Sequence, residues 1–225
     1  MTAYATSQVL KPLNDWERKH APDTVFAEGD LTLLNRGLRV SVVGSRKPSD
    51  LGKARAETFA RALAAKNITV VSGLAEGIDT VAHKAAISAG GKTIAVLGTP
   101  LSEAYPKANA GLLAKIKHDH LAISQFPEGF PSRPQNFPQR NRTMALISDA
   151  TVIIEASENS GTRHQGWEAI RLGRLVLLLE SIAKNPDLSW PAEMIEYGAQ
   201  VVTRETLDTA LDNIPHLTEG AECAF

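Results

Sequence analysis

Cysteine is nearly absent from this chain. Cys223 is the single one in 225 residues, so a disulfide within the chain and a Cys-rich zinc site are both excluded. No run of about 18 apolar residues occurs, which argues against a membrane-crossing helix. The opening stretch MTAYATSQVLKPLNDWERKH lacks a basic start followed by an apolar run, so no secretory signal is expected. These absences point to a cytoplasmic protein with no membrane partner. An excess of positive charge is also missing: 24 Lys and Arg stand against 25 Asp and Glu, for a net charge of -1. A nucleic-acid partner would therefore have to be held by a local patch. Neither G-x-G-x-x-G nor the P-loop pattern is found, which speaks against NAD binding and ATP hydrolysis. Metal ligands at a convincing spacing are lacking, so neither a metal nor a cofactor is expected. There is no internal repeat and no low-complexity tract.

What is present is a regular alternation. Six β-rich runs, RVSVV (39–43), ITVVS (68–72), TIAVL (93–97), LAISQ (121–125), ATVIIEA (150–156) and RLVLLLE (174–180), are mostly continuous apolar strings. Such strings suit strands covered on both faces. Helical segments lie between them at 52–66, 77–89, 108–118, 138–148 and 162–173. In the first of these, Ala56, Phe59, Ala60 and Leu63 share one face. The pattern predicts an α/β fold, Rossmann-like and doubly wound, with a mostly parallel sheet and helices on both faces. The expected organisation is an N-terminal arm or short helix over 1–23, the sheet domain over 24–203, and an acidic helix and tail over 204–225. In the arm, Lys11-Pro12 breaks the helix, Leu13, Trp16 and Ala21 dock on the body, and the first residues are expected to be disordered. Over 205–225, Glu205, Asp208, Asp212, Glu219 and Glu222 occur without a single Lys or Arg.

Ligands of doubly wound sheets sit beyond the carboxyl ends of the strands, so the segments after each strand carry the functional reading. GSRKPSDLG (44–52) places Gly44 and Ser45 in a tight turn with Arg46 beside it, at a helix start that offers free N–H groups to an anion. SGLAEGID (72–79) supplies Gly73 for close backbone approach, with Asp79 and His83 one turn apart on the next helix. GTP (98–100) follows the third strand, and Ser160-Gly161-Thr162 opens the helix after the fifth. Together these loops describe a polar groove for phosphates. FPEGFPSRPQNFP (126–138) is a long loop with four prolines. Arg133, Arg140 and Arg142 lie in an acid-free interval (129–148) close to Phe126, Phe130 and Phe137. Guanidinium on phosphate and ring on base is how a single strand is held.

Blander roles remain open for each group. Arg46 could pair with Asp50. Arg140 and Arg142 could pair with Asp149 or Glu155. Phe137 reads equally as a buried plug and as a stacking platform. Asp79 and His83 could fix each other, Glu168 and His164 read as surface or packing residues, and Trp16, Trp167 and Trp190 as core or interface anchors.

VFAEGDLTLLNRGLRVSVVGSR, VVSGLAEGIDTVAHKAAISAGGKTIAVLGT, Tyr105-Pro106 and SQFPEGFPSRPQNFPQRNRTMALISDATVIIEA occur in this order over about residues 25–180. Together they resemble the DprA/Smf family (DNA-processing protein A). The resemblance implies a Rossmann-like domain that binds single-stranded DNA, protects incoming DNA in natural transformation, helps load a RecA-type recombinase and self-associates, here as a homodimer. It assigns Arg46, Arg140, Asn141 and Arg142 to the strand-binding pocket, with Phe137 as a stacking ring. SGTRHQGWEAIRLGR (160–174) departs from the family's usual string, and no winged-helix domain is expected after the sheet. The family's superfamily also contains LOG-type nucleoside monophosphate hydrolases. The Gly-Thr of 161–162 and Glu168 resemble part of their motif, so such an enzyme is an alternative. A nucleotide-sensing or antitoxin module with a cognate toxin or effector is another. The leading expectation is a non-enzymatic single-strand binder.

Overall fold

The computed structural model describes residues 1–10 and 13–216. In chain order the elements are β1 (Thr2–Ala5), α1 (Thr6–Val9), α2 (Asp15–His20), β2 (Thr24–Gly29), β3 (Arg39–Val43), α3 (Asp50–Ala65), β4 (Thr69–Ser72), α4 (Ile78–Ser88), β5 (Thr93–Leu97), α5 (Ala110–Asp119), β6 (Leu121–Ser124), α6 (Asn136–Ile147), β7 (Ala150–Ile153), α7 (Gly161–Arg171), β8 (Leu175–Leu179), α8 (Glu180–Ala183), α9 (Trp190–Glu196), β9 (Gln200–Val202) and α10 (Leu207–Asp212). Nine strands form one sheet in the order β1-β2-β6-β5-β4-β3-β7-β8-β9. The six apolar runs are β3 to β8, and every pairing among them is parallel. β1 and β2 add an antiparallel edge beyond β6, and β9 extends the other edge in parallel.

The runs are apolar throughout because alternate side chains feed separate layers. Val40 and Val42 of β3, Val70 of β4 and Val152 of β7 pack with Phe59 and Leu63 of α3 and Ala82 of α4. Val43, Val71 and Ile153 point the other way, into a core that holds Met144 of α6, Ala169 of α7 and Trp190 and Met194 of α9. Helices therefore cover both faces, as the sequence predicts. α3 leaves β3 toward one face and α7 leaves β7 toward the other, although β3 and β7 are neighbours. The loops after these strands must part there, and the gap they leave is the crevice in which doubly wound folds hold ligands.

The termini differ from the sequence reading. Residues 2–5 are not free: Thr2 to Ala5 pair with Ala27 to Thr24, because backbone pairing at an edge needs no apolar pattern. The helix of the arm begins at Asn14, whose side chain accepts from the Glu17 amide while Glu17 accepts from the Asn14 amide, a reciprocal cap. Glu17 and Arg174 form a buried ion pair that ties this arm to the start of β8. In the C-terminal segment, Asp208 and Asp212 reach Lys66 at 3.9 and 2.6 Å, so this acidic face is anchored to α3. The Lys11-Pro12 break, Glu219, Glu222 and Cys223 lie outside the described residues. Among the described residues no helix is long and apolar enough to cross a membrane, and no group of three His, Cys, Asp or Glu could hold a metal ion.

Candidate nucleic-acid interface

A cleft of about 680 Å³ opens at the β3–β7 divergence. One wall is the loop after β3, with Gly44, Ser45, Arg46 and Lys47. Another is the start of α7, with Ser160, Gly161 and Thr162. The third is α6 with the loop before it, which brings Phe137, Arg140 and Asn141. The sequence-predicted residues of three distant segments thus meet in one place. Gly73 lines a smaller adjoining pocket of about 90 Å³ that shares Arg46, Phe137 and Arg140 with the cleft.

Two glycines position this assembly. Gly77 has φ +78°, and a Cβ there would strike the backbone oxygen of Ser45. Without that atom, the Ile78 amide reaches the Ser45 carbonyl at 3.1 Å and fixes the turn that carries Arg46. Gly73 lies flat against the guanidinium of Arg140, where a Cβ would overlap Nη1. Arg140 is 5% exposed. Its Nη1 donates to the Val96 carbonyl at 3.1 Å, and Asp79 is the nearby carboxylate that favours its charge. Burial, and to a lesser degree the like charge of Arg46, push the Arg140 pKa down. Burial raises that of Asp79, against the pull of Arg140 and of the Gly73 and Ala75 amides that donate to it. Arg140 is thus a packed guanidinium in the floor, hydrogen-bonded to the Val96 carbonyl with Asp79 nearby.

Arg46 is the opposite case. It is exposed, stands 5.6 Å above the Phe137 ring centroid, and has no carboxylate within ion-pair distance among the described residues. Asp50, the alternative partner, is taken by Lys53 at 2.9 Å. Phe137 is half-buried. One face packs on Gly98, the ring meets Tyr105 with centroids 5.2 Å apart, and Arg46 stacks above.

Other expectations need correcting. The start of α3 is not open to an outside anion: the Glu155 carboxylate accepts from the Ser49 amide at 2.9 Å and from its hydroxyl at 2.5 Å. The Ser45 and Lys47 amides are likewise used internally, on the Glu155 carbonyl and the Ser45 hydroxyl. The Gly73 amide is spent on Asp79. Arg142 does not line the cleft; its Nε lies 3.2 Å from Glu168, which also holds Arg171 at 3.1 Å. Arg133 is exposed away from the cleft. Phe126 and Phe130 pack on each other with centroids 5.2 Å apart. Asp149 pairs with Arg39 in the core at 3.1 Å. Asp79 and His83 do not meet: His83 Nδ1 is 2.6 Å from the Thr93 hydroxyl, and burial drives its pKa down to about 3.

The α7 start remains available. Ser160 makes no side-chain cap bond, and the first-turn amides of a helix have no intrahelical acceptors. Among the cleft residues missed in the sequence are Lys47, Tyr105 and Gln165, and His164, read as a surface or packing residue, also lines the cleft. Lys47 sits next to Arg46 and Tyr105 heads the Tyr-Pro pair, so adjacency offered a signal for both. Gln165 is 1% exposed with neither amide atom partnered, and only the folded chain reveals that. Glu168, the carboxylate on which a hydrolase reading relied, is bound to two arginines and does not line the cleft.

The DNA recombination-mediator protein A model matches residues 6–213. DNA processing protein DprA of Streptococcus pneumoniae is 39% identical over 183 residues, covering 81% of this chain and 64% of that protein. Its Bacillus subtilis namesake is 32% identical over 181 residues, covering 80% and 61%. The chain therefore spans less than two thirds of the length of these relatives. The X-ray structure of the Streptococcus pneumoniae protein superposes with a TM-score of 0.81 at 33% identity, over 96% of this chain and 75% of that one. DprA of Helicobacter pylori, solved for its single-stranded DNA binding mode, gives 0.78 at 25% identity, over 92% and 96%. A molybdenum cofactor binding protein from Rippkaea orientalis, at 0.57 and 19%, shares the fold alone. The chain belongs to the DNA recombination-mediator protein A (DprA/Smf) family.

Proposed function

We propose that the chain binds single-stranded DNA in the switch-point cleft as a non-enzymatic DNA-processing protein. The observation that carries this reading is the unpaired guanidinium of Arg46 over the Phe137 ring. Beneath it, a buried Arg140 is pressed against Gly73. A cation at ring height with no internal counter-ion is suited to a phosphate whose base lies nearby. Asn141, Ser45 and the α7 start at Ser160-Gly161-Thr162 supply neutral donors around it, while Gly44 lets the turn pack closely on Ile78. In Helicobacter pylori DprA the ligand studied is single-stranded DNA, which supports the same class here. Cytoplasmic location, a homodimer and delivery of the strand to a RecA-type recombinase complete the proposal.

Arg46→Ala is expected to weaken oligo-dT binding several-fold. It should also flatten the log-log salt dependence by about 0.7 for the phosphate lost. Mobility-shift titrations at several salt concentrations read both quantities, and an unchanged affinity rejects the cleft as the site.

A second reading, a free nucleotide as the ligand, is favoured by Gln165. Its orphaned amide lines a cleft whose size falls within the usual range for small-molecule sites. Nucleoside monophosphates that compete with oligo-dT at micromolar concentration would support it.

A further inference from the structure

A second groove lies on the other side of the α3 start, at the carboxyl ends of β8 and β9. It also measures about 680 Å³. Its floor is apolar, with Leu51, Leu179, Val202 and Leu207, and Leu51 is 58% exposed. Arg55 and Arg204 border it.

The charges around this groove are unevenly satisfied. Lys184 is matched to Glu180 at 2.6 Å, Lys53 to Asp50 at 2.9 Å, and Arg61 to Glu57 at 2.9 Å. Asp208 and Asp212 are held by Lys66. Glu205 feels Arg204 but lies beyond ion-pair distance, its carboxylate being held down mainly by Thr203. Among the described residues Arg55 and Arg204 have no ion-pair partner, although the acids nearby would have sufficed to pair them. Two unpaired guanidiniums beside an aliphatic floor offer phosphate contacts and apolar area, as Arg46 and Phe137 do in the cleft, though without an exposed ring.

The two sites are also contiguous. Lys47 lines the cleft and Leu51 lines the groove. Four residues of chain span at most about 14 Å. The two acids at the α3 start between them are already engaged, Asp50 with Lys53 at 2.9 Å and Glu155 with Ser49.

We propose that this groove is a second single-strand contact, which takes the nucleotides that leave the cleft past the α3 start without seating a phosphate on its amides, with Arg55 and Arg204 on their phosphates and the apolar floor under their bases. The proposal rests on the strand-binding reading of the cleft. Continuity with the cleft and the spacing of charge on both sides of the floor favour a strand over an acidic peptide.

The test compares oligo-dT of about 6 and about 25 nucleotides, lengths below and above the reach of a single small site. Wild type, Arg46→Ala and the double variant Arg55→Ala/Arg204→Ala are titrated by fluorescence anisotropy over a range of salt. The double variant is expected to bind the short oligonucleotide as wild type does, which also shows that it is folded. It should bind the long one at least five-fold more weakly, with a salt slope lower by about 1.4 for two phosphates. Arg46→Ala should weaken both lengths. A double variant that binds the long strand like wild type overturns the groove and leaves the cleft standing. Loss of both lengths equally in the double variant also overturns it. If wild type binds neither length, the strand reading itself fails and the groove falls with it. If long-strand affinity is unchanged while an acidic Asp/Phe decapeptide binds wild type and not the double variant, the groove is a peptide site and the proposal is wrong.

Discussion

His83 shows how far burial alone can set a residue's behaviour. It is fully buried and its Nδ1 donates to the Thr93 hydroxyl, whose own proton goes to the Val70 carbonyl, and its pKa falls from 6.5 to about 3. The unfolded chain takes up this proton near pH 6.5, whereas the folded one refuses it until about pH 3. The contribution of neutral His83 is thus complete above pH 6.5 and is lost as the pH falls toward 3. Between pH 7 and pH 4 the loss amounts to about 3 kcal/mol. His83→Gln keeps a partner for Thr93 but does not titrate. Urea unfolding of both proteins at pH 7 and pH 4 should show a wild type that loses about that much more than the variant. A pH-independent difference between the two would refute the assignment. Arg46 answers to the opposite rule: it is exposed and unpaired, so its substitution should be felt in binding and hardly in stability.

At the scale of elements, the cleft depends on loops that interlock. Gly73 follows β4, Arg140 comes from α6 and Asp79 from α4, and the guanidinium fits only because Gly73 has no side chain. Gly73→Ala should force Arg140 off the Val96 carbonyl and away from Asp79. Overpacking of this kind costs about 1–3 kcal/mol, and it should lower both the unfolding midpoint and strand affinity. If the variant keeps wild-type stability, Arg140 is not locked in the way described. The six central strands were legible because their apolar strings are continuous, and so were the loops that follow them. β1, β2 and β9 were not: β1 is held by backbone pairing, β2 alternates over a short span, and β9 has two exposed residues out of three. The arginines of α6 were legible as chemistry but not as positions. Arg140 and Arg142 are two apart on a helix and so face different directions, one into the floor and one toward Glu168. Nor could the capture of the α3 start by Glu155 be read, since 106 residues separate it from Ser49.

For the molecule as a whole, the N-terminal arm is a structural strap. The Arg174–Glu17 pair is 8% and 7% exposed on its two sides, so breaking it leaves a buried charge. Arg174→Ala is expected to cost about 3–5 kcal/mol and to detach α2 from the body. The cleft lies elsewhere, so strand affinity at temperatures below the melt should not change. Circular dichroism melts together with anisotropy titrations separate the two effects, and a parallel loss of binding would show that the arm shapes the cleft.

The burial of Arg140 has a consequence for how such a protein would work on a polymer. What the cleft offers to solvent is reduced to Arg46 and Lys47 on a body whose overall charge is -1. On the strand-binding proposal, each copy would grip only a few links and gain little from long-range attraction. Durable coverage of a long strand would come from many copies side by side, so that persistence belongs to the coated filament and turnover to each bead.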